Sequence, residues 1–366
     1  MHTEPYKYSV IMEYIIDLIN SSKIAYGEKI PSENELSMQF GISRQTVRQA
    51  VKILVNEGWL KSIHGSGTYV QRTQEKKNKK SRTIGVILTY PDDYIFPNII
   101  AGIENTLFNM DYNINLGFTY NKVEKEAQCL KSFIEKGADG IIIEGSKSAF
   151  PNPNLNLYEM LSKKRIPYIF INGYYGDLKS SYITMDDEDS AFMATEYLIK
   201  KNHKIIGGIF KSDDIQGHLR YKGFVKALHS HGLQLYEDSV FWFTTEDMDA
   251  VFQKKYKTTL IARFHNCSAI VCYNDQIAIK LIANLKSNCI NVPDNVSIIS
   301  FDNSTLAELS NPPLTTMIHV GSELGEKAAK MIVDMINTQN TYHEKIKSTL
   351  VERDSVKSIV KSILKK

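Results

Sequence analysis

Four cysteines in 366 residues are few and far apart: Cys129, Cys267, Cys272 and Cys289 form no C-x-x-C pair and have no histidine at metal-ligand spacing. That excludes a zinc-finger pattern and a disulfide framework, and the thiols read as reduced groups of a cytoplasmic protein. No apolar run approaches the roughly 18 residues that a membrane span requires, and no basic-then-apolar leader is visible, so a soluble chain is expected. G-x-G-x-x-G does not follow the first strand candidate, and G-x-x-x-x-G-K-[ST] occurs nowhere. A nucleophile elbow and carboxylates paired at a catalytic spacing are also missing. These absences argue against a nucleotide-binding or hydrolytic enzyme, and they leave no residue assigned to catalysis, to a metal or to a cofactor.

What is present is unevenly divided. Residues 1–82 carry 13 Lys and Arg against 8 Asp and Glu, a balance of +5, whereas the remainder carries 31 against 33. A phosphate-binding surface needs such an excess of positive charge. The basic part also holds the densest local pattern. Ser32 is placed to cap a helix, with Glu35 bonding back to it three residues later. Leu36 and Phe40 face inward, and Gly41 ends the helix by taking a left-handed conformation. Ser43 caps the next helix, in which Val47, Ala50, Val51 and Leu54 repeat at helical spacing and form one apolar stripe. Arg44, Gln45, Thr46 and Arg48 are left at its exposed N-terminal end. Arg and Gln carry the paired donors and acceptors that match guanine and adenine edges in the major groove. An earlier helix, with Ile11, Tyr14, Ile15 and Leu18 on one face, would complete a three-helix core. WLKSI and TYV then alternate around His64-Gly65-Ser66-Gly67, a hairpin whose tip lets the backbone approach a phosphate, with His64 and Thr68 as polar contacts.

From about Tyr6 to Val70 this stretch resembles the winged helix-turn-helix of the GntR family, through IPSENEL, FGISRQTVRQA and the G-x-G-T-x-V wing. The resemblance implies that Arg44 and Arg48 contact bases or phosphates, with Gln45, Thr46, His64 and Gly65 beside them. Many members carry Arg where this chain has Asn34. Residues 1–71 are therefore assigned to DNA reading. Residues 72–82, RTQEKKNKKSR, lack apolar side chains and read as a flexible basic tether.

From Thr83 the pattern changes. TIGVIL, INLGFTY, ADGIIIEG, IPYIFIN, KIIGGIF, SAIVCYN and VSIISFD are short apolar strand candidates separated by helical stretches, which indicates parallel sheets covered on both faces. In such sheets a ligand binds beyond the C-terminal ends of the strands, and polar residues collect there. A sugar suits this mixture, because carboxylates, Asn, Gln and Arg hold neighbouring hydroxyls while an aromatic ring packs on its C–H face. The expected sugar-site residues are Tyr94, Phe96, Glu144, Lys147, Asn172, Asp186, Gln216, Arg220, Asp275 and Asp302. An Asp or Asn after a strand is also an ordinary helix cap, and Asp186 and Asn274 stand where either role is open.

RYKGF, CYNDQIAI, VPDNVSIISFD and PPLTT resemble the LacI/GalR effector domain, over about Thr83 to the C-terminus. The resemblance implies the fold of periplasmic sugar-binding proteins: two doubly wound α/β lobes around the ligand, with dimerisation through the lobes. The lobes are expected at 83–172 with a return near 303–320, and at 173–302 with the C-terminal segment. That family's short hinge helix is replaced here by the basic tether. The pairing of the two modules, with DYIFPNIIAGIE, DGIIIEGSKSA and GIFKSDDIQG, is similar to arabinose-responsive repressors of Gram-positive bacteria. It implies a cytoplasmic homodimer that binds operator DNA and releases it on binding L-arabinose. Another sugar or a corepressor remains open as the effector, and a sugar-processing enzyme fused to a DNA reader is the alternative from a different class. If the charge balance serves phosphate binding, DNA affinity should fall with salt at a log–log slope of about −0.9 per phosphate neutralised; a flat profile in a salt titration would refute this surface.

Overall fold

A computed structural model describes residues 7–21, 23–71, 81–91, 95–252 and 257–359. The chain divides into two compact units, Met1–Lys80 and Ser81–Lys366. The first contains α1 (Lys7–Asn20), α2 (Glu33–Phe40), α3 (Arg44–Asn56) and an antiparallel hairpin of β1 (Leu60–Ile63) and β2 (Gly67–Val70). The caps form as the residue types require. Ser32 Oγ accepts from Glu35 N at 3.3 Å while Glu35 Oε2 accepts from Ser32 N at 2.7 Å. Gly41 ends α2 at φ +64°, and Ser43 caps α3. Ile11, Ile15, Leu36, Val47, Ala50, Val51, Leu54, Leu60 and Val70 make the core of this unit.

The second unit is built from two parallel sheets. Its elements begin β3 (Thr83–Leu88), α4 (Phe96–Phe108), β4 (Asn113–Phe118), α5 (Val123–Glu135), β5 (Gly140–Ile143), α6 (Leu155–Lys163), β6 (Tyr168–Ile171) and β7 (Ser181–Met185). They continue with α7 (Asp187–Lys200), β8 (Ile206–Lys211), α8 (Ile215–Ser230), β9 (Val240–Phe243), α9 (Met248–Val251), α10 (Lys257–Arg263) and β10 (Ala269–Cys272). Last come α11 (Asp275–Lys286), β11 (Ser297–Asp302), α12 (Thr305–Leu309), β12 (Thr315–Ile318), α13 (Gly321–Thr338), β13 (His343–Ile346) and β14 (Leu350–Val351). The first sheet has the order β13-β7-β6-β5-β3-β4 and the second β14-β12-β11-β10-β8-β9. All their pairings are parallel except β12 with β14.

Period-2 alternation sends neighbouring side chains to opposite faces. Ile84, Val86 and Leu88 of β3 join a core with Ile99 and Ile103 of α4 and Leu324 and Ile332 of α13, whereas Ile87 joins the opposite core with Leu130 and Leu161. In β10, Ile270 and Cys272 face one core and Ala269 and Val271 the other. Both sheets are thus covered on both sides, which explains the uninterrupted apolar runs in the sequence.

The lobe boundaries differ from those expected. β7 still belongs to the first sheet, so the chain first crosses at Asp186 rather than near 172. It returns at His319–Val320 into α13 and β13, and crosses again between β13 and β14. The apolar strand pattern was visible, but which sheet each strand joins is decided by pairing that no local spacing reports. α13 closes the first lobe by packing on α4 through two glycines: a Cβ on Gly102 would stand 2.2 Å from Ser322 O, and one on Gly325 would stand 2.3 Å from Ile99 O. Gly325→Ala should therefore force the helices apart and destabilise the chain by about 1–3 kcal/mol, read as a lowered urea midpoint; an unchanged midpoint would refute the close helix contact.

Candidate functional sites

In the first unit, α3 presents its N-terminal end. Arg44, Gln45 and Arg48 are exposed and Thr46 is half-buried, its hydroxyl 2.9 Å from the capping Ser43 Oγ. Glu33 of α2 grips Arg48: the Nε lies 3.1 and 3.2 Å from the two carboxylate oxygens and Nη2 lies 2.8 Å from Oε2. Being exposed, this pair is worth little to stability, and it turns the guanidinium toward α2. At the hairpin tip His64 is exposed and Gly65 takes φ +73°, and Thr68 Oγ1 lies 3.1 Å from Ser62 Oγ. The sequence reading missed Glu33, whose part shows only once α2 and α3 are side by side.

In the second unit, a cavity of about 290 Å³ lies between the lobes at the C-terminal ends of the strands. The first lobe contributes Thr89, Tyr90, Ile95, Phe96, Asn121, Glu144 and Ser148; the second contributes Lys211, Asp214, Gln216, Arg220, Phe243, Thr245, Tyr273, Asn274 and Asp302. Of the residues expected here, Phe96, Glu144, Gln216, Arg220 and Asp302 line this space, and Tyr94 lies outside the described residues.

The other four expected residues are not in its lining, each for a visible reason. Lys147 reaches Glu246, Nζ to Oε1 2.6 Å. Asn172 sits behind Glu144 and donates to its Oε1 at 2.9 Å. Asp186 caps α7, its carboxylate accepting from Asp189 N at 3.4 Å. Asp275 is consumed within its own lobe: it accepts from Ser300 Oγ at 2.5 Å, Thr316 Oγ1 at 2.8 Å, Ser304 N at 2.8 Å and Ser304 Oγ at 2.9 Å. Asn274 caps α11 through Ile277 N, 3.0 Å, and also lines the cavity.

Charge in the cavity is arranged in pairs. Arg220 is buried on α8, its Nε 2.8 Å from Asp187 Oδ1, its Nη1 2.5 Å from Tyr273 O and its Nη2 3.6 Å from Asp302 Oδ1. Its plane lies over Tyr273 and Phe301, 4.9 and 4.6 Å from the ring centroids. Burial alone would favour losing the proton, but Asp187 and Asp302 outweigh it and keep the guanidinium charged. Lys211 lies 3.1 Å from Asp214 Oδ2, which also accepts from Tyr273 Oη at 2.6 Å. Burial works against ionised Asp214, and Lys211 with these donors reverses that and lowers its pKa. Glu144 accepts from Thr89 N at 2.9 Å and Thr89 Oγ1 at 2.5 Å, and burial pushes its carboxyl up. His319, at the return crossover, places Nε2 3.2 Å from Asn172 Oδ1, so the crossover touches the cavity wall through one intermediate residue. Among the described residues, no group of His, Cys, Asp and Glu is placed to hold a metal ion, and no helix is long and apolar enough to cross a membrane.

A winged-helix reader and a two-lobed ligand-binding unit on one chain define a ligand-responsive transcription regulator. Residues 7–70 match the family of bacterial regulatory proteins of the gntR type, and residues 195–356 match a periplasmic binding protein-like domain. The arabinose metabolism transcriptional repressor of Geobacillus stearothermophilus is 38% identical over 365 residues, spanning 96% of this chain and 98% of the relative. That of Halalkalibacterium halodurans is 37% identical over 337 residues, 91% and 90% of the two chains. The chain belongs to the family of arabinose metabolism transcriptional repressors. Among solved structures, the complex of the transcriptional regulator CelR with cellobiose aligns at a TM-score of 0.68 and 19% identity, covering 89% of this chain and 100% of the other. CcpA of Lactococcus lactis aligns at 0.66 and 24%, covering 75% and 99%. At these identities the structures establish the fold.

The geometry makes Asp275 a strut of the second lobe. Burial raises its carboxyl from 3.8 to about 6, with Asp302 adding to the effect and the hydroxyl and amide donors opposing it. Between those values the native chain holds a proton that the unfolded chain has released, so this group lowers stability above pH 6 and the cost fades as pH falls toward 4. Asp275→Asn removes that dependence. The stability difference, wild type minus variant, should be flat above pH 7 and grow by up to about 3 kcal/mol on going from pH 7 to pH 4. Urea denaturation across that range checks it, and a pH-independent difference would refute a carboxyl titrating near 6.

Proposed function

We propose that this chain is a repressor of arabinose utilisation genes that binds operator DNA as a homodimer in the cytoplasm and lets go when L-arabinose occupies the cleft. The observation that carries this reading is the cavity lined from both lobes by Phe96, Glu144, Arg220 and Asp302, on the same chain as an exposed recognition-helix end. Its volume of about 290 Å³ lies just below the roughly 300–1,000 Å³ of ligand pockets, which suits a monosaccharide. Lys211 and Arg220 already face carboxylates, an arrangement that favours a neutral polyol over a phosphorylated sugar. Gln216, Asn274 and Glu144 supply donors and acceptors for hydroxyls, and Phe96 an apolar face.

On the DNA side, Arg44, Gln45, Thr46 and Arg48 would enter the major groove, with His64, Gly65 and Thr68 of the wing against the backbone or minor groove. Two copies would set the readers at half-site spacing. The edge strand β4, with Leu116 exposed, and Phe108 at the end of α4 offer an apolar surface for that pairing. Sugar bonded from both lobes favours the closed cleft, and the differential affinity, typically about 1–3 kcal/mol, is what moves the dimer off its half-sites. The test is a gel-shift titration on the upstream DNA of the chain's own gene, at fixed salt, with and without L-arabinose. Release by L-arabinose but not by D-xylose, D-ribose or D-galactose is expected, and Arg44→Ala should abolish the shift while calorimetry still detects the sugar. Retention of DNA with every sugar, or tighter binding, would overturn induction by L-arabinose and point to another effector or a corepressor.

A further inference from the structure

The crossovers and the closest protein–protein bonds across the cleft lie at opposite ends of the sheets. Crossovers leave from β7, β12 and β13, on one side of the sheet orders, whereas β4 and β9 are the edge strands at the other end. Three residues beyond the end of β4 comes Asn121, at φ +57° and buried. Every hydrogen-bonding group of its side-chain amide is used. Nδ2 donates to Asp213 Oδ2 at 3.0 Å and to Thr245 Oγ1 at 2.6 Å, both in the second lobe, while Oδ1 accepts from Lys147 N at 2.7 Å in its own lobe. Asp213 Oδ2 also accepts from Thr245 N at 3.1 Å, which ties the loops after β8 and β9 into one receptor for this amide. Two further contacts cross beside it, Ile215 N to Ser148 Oγ at 3.1 Å and Lys147 Nζ to Glu246 Oε1 at 2.6 Å.

We propose that Asn121 is a positioning residue for the effector response: with Asp213 as its receptor, it latches the lobes at the end of the cleft farthest from the crossovers. A bond at that distance resists hinge opening with the longest lever arm. Opening removes Asn121 from a buried carboxylate, and a charge-assisted bond lost in a dry setting is among the costlier ones. Asn121 and Thr245 also border the cavity, whereas Asp213 lies outside its lining, so the effect of Asp213 on the sugar runs through the fraction of closed molecules. The apparent dissociation constant is the intrinsic one divided by that fraction. The consequence for affinity rests on the sugar-responsive reading above; the latch itself does not.

Calorimetry with L-arabinose on the full chain, for wild type, Asn121→Ala, Asp213→Ala and the double variant, tests the proposal. Each single change should weaken sugar binding about tenfold, and the double variant should be no weaker than the weaker single. Operator affinity without sugar should be unchanged or tighter, since the open form is favoured. Additive losses would overturn the latch and leave Asn121 as a direct sugar contact. Hydrogen–deuterium exchange supplies an arm that needs neither sugar binding nor a folded Asp213→Ala: in Asn121→Ala, peptides containing Ile215 and Thr245 should exchange faster. Unchanged exchange would overturn the proposal, and wild-type chain that ignores L-arabinose would count against the effector reading alone.

Discussion

The guanidinium of Arg220 is a full charge with almost no access to water, and much of the second lobe is arranged to make that tolerable. Leaving such an ion unpaired costs several kcal/mol even after relaxation. Its partners come from places far apart in sequence: Asp187 at the first crossover, the carbonyl of Tyr273 at the end of β10, and Asp302 at the end of β11. All must arrive together. Asp302 is held at φ +105°, a conformation that a side-chain-bearing residue adopts only when its surroundings impose it. One buried cation thus fixes the start of α7, the face of α8 and the ends of two strands, which are the parts that form one wall of the cleft.

Burial alone does not tell a cavity-facing carboxylate from a strut. Glu144 and Asp275 are both buried acids beyond parallel strands. Asp275 meets four donors from its own lobe and has its bonding capacity filled. Glu144 meets Thr89 and Asn172 and still borders open space. The same chemistry serves construction in one lobe and leaves a face open to the cavity in the other.

This distinction marks how far the sequence could be read. The reader unit was legible almost residue by residue, because caps, stripe and hairpin are local and each obeys a short spacing rule; Ser32, Glu35, Gly41 and Ser43 do what their positions require. The alternation of strands and helices was legible too, and it led to Phe96, Glu144, Arg220 and Asp302. Lys211 escaped because it is the last residue of β8 itself, and Tyr273 because it stands between strand and cap. Asn121 and Thr245 escaped because they follow edge strands, and VFWF is too short to announce β9. Lys147, Asn172, Asp186 and Asp275 were placed by the strand-end rule, but whether such a residue faces the ligand, a cap or a neighbour is settled by tertiary contacts.

The late return of the chain into the first lobe has a consequence for biosynthesis. Emerging from a ribosome, residues 7–70 hold every contact of the reader's core within themselves and can fold early. The first lobe cannot close until Gly321–Ile346 has emerged, because α13 covers its sheet and β13 supplies an edge strand. The second lobe waits for β14. A nascent chain therefore carries a finished DNA reader while residues 71–351 are still being added, before it owns a sensor, and a message broken within that stretch would yield a reader deaf to any effector.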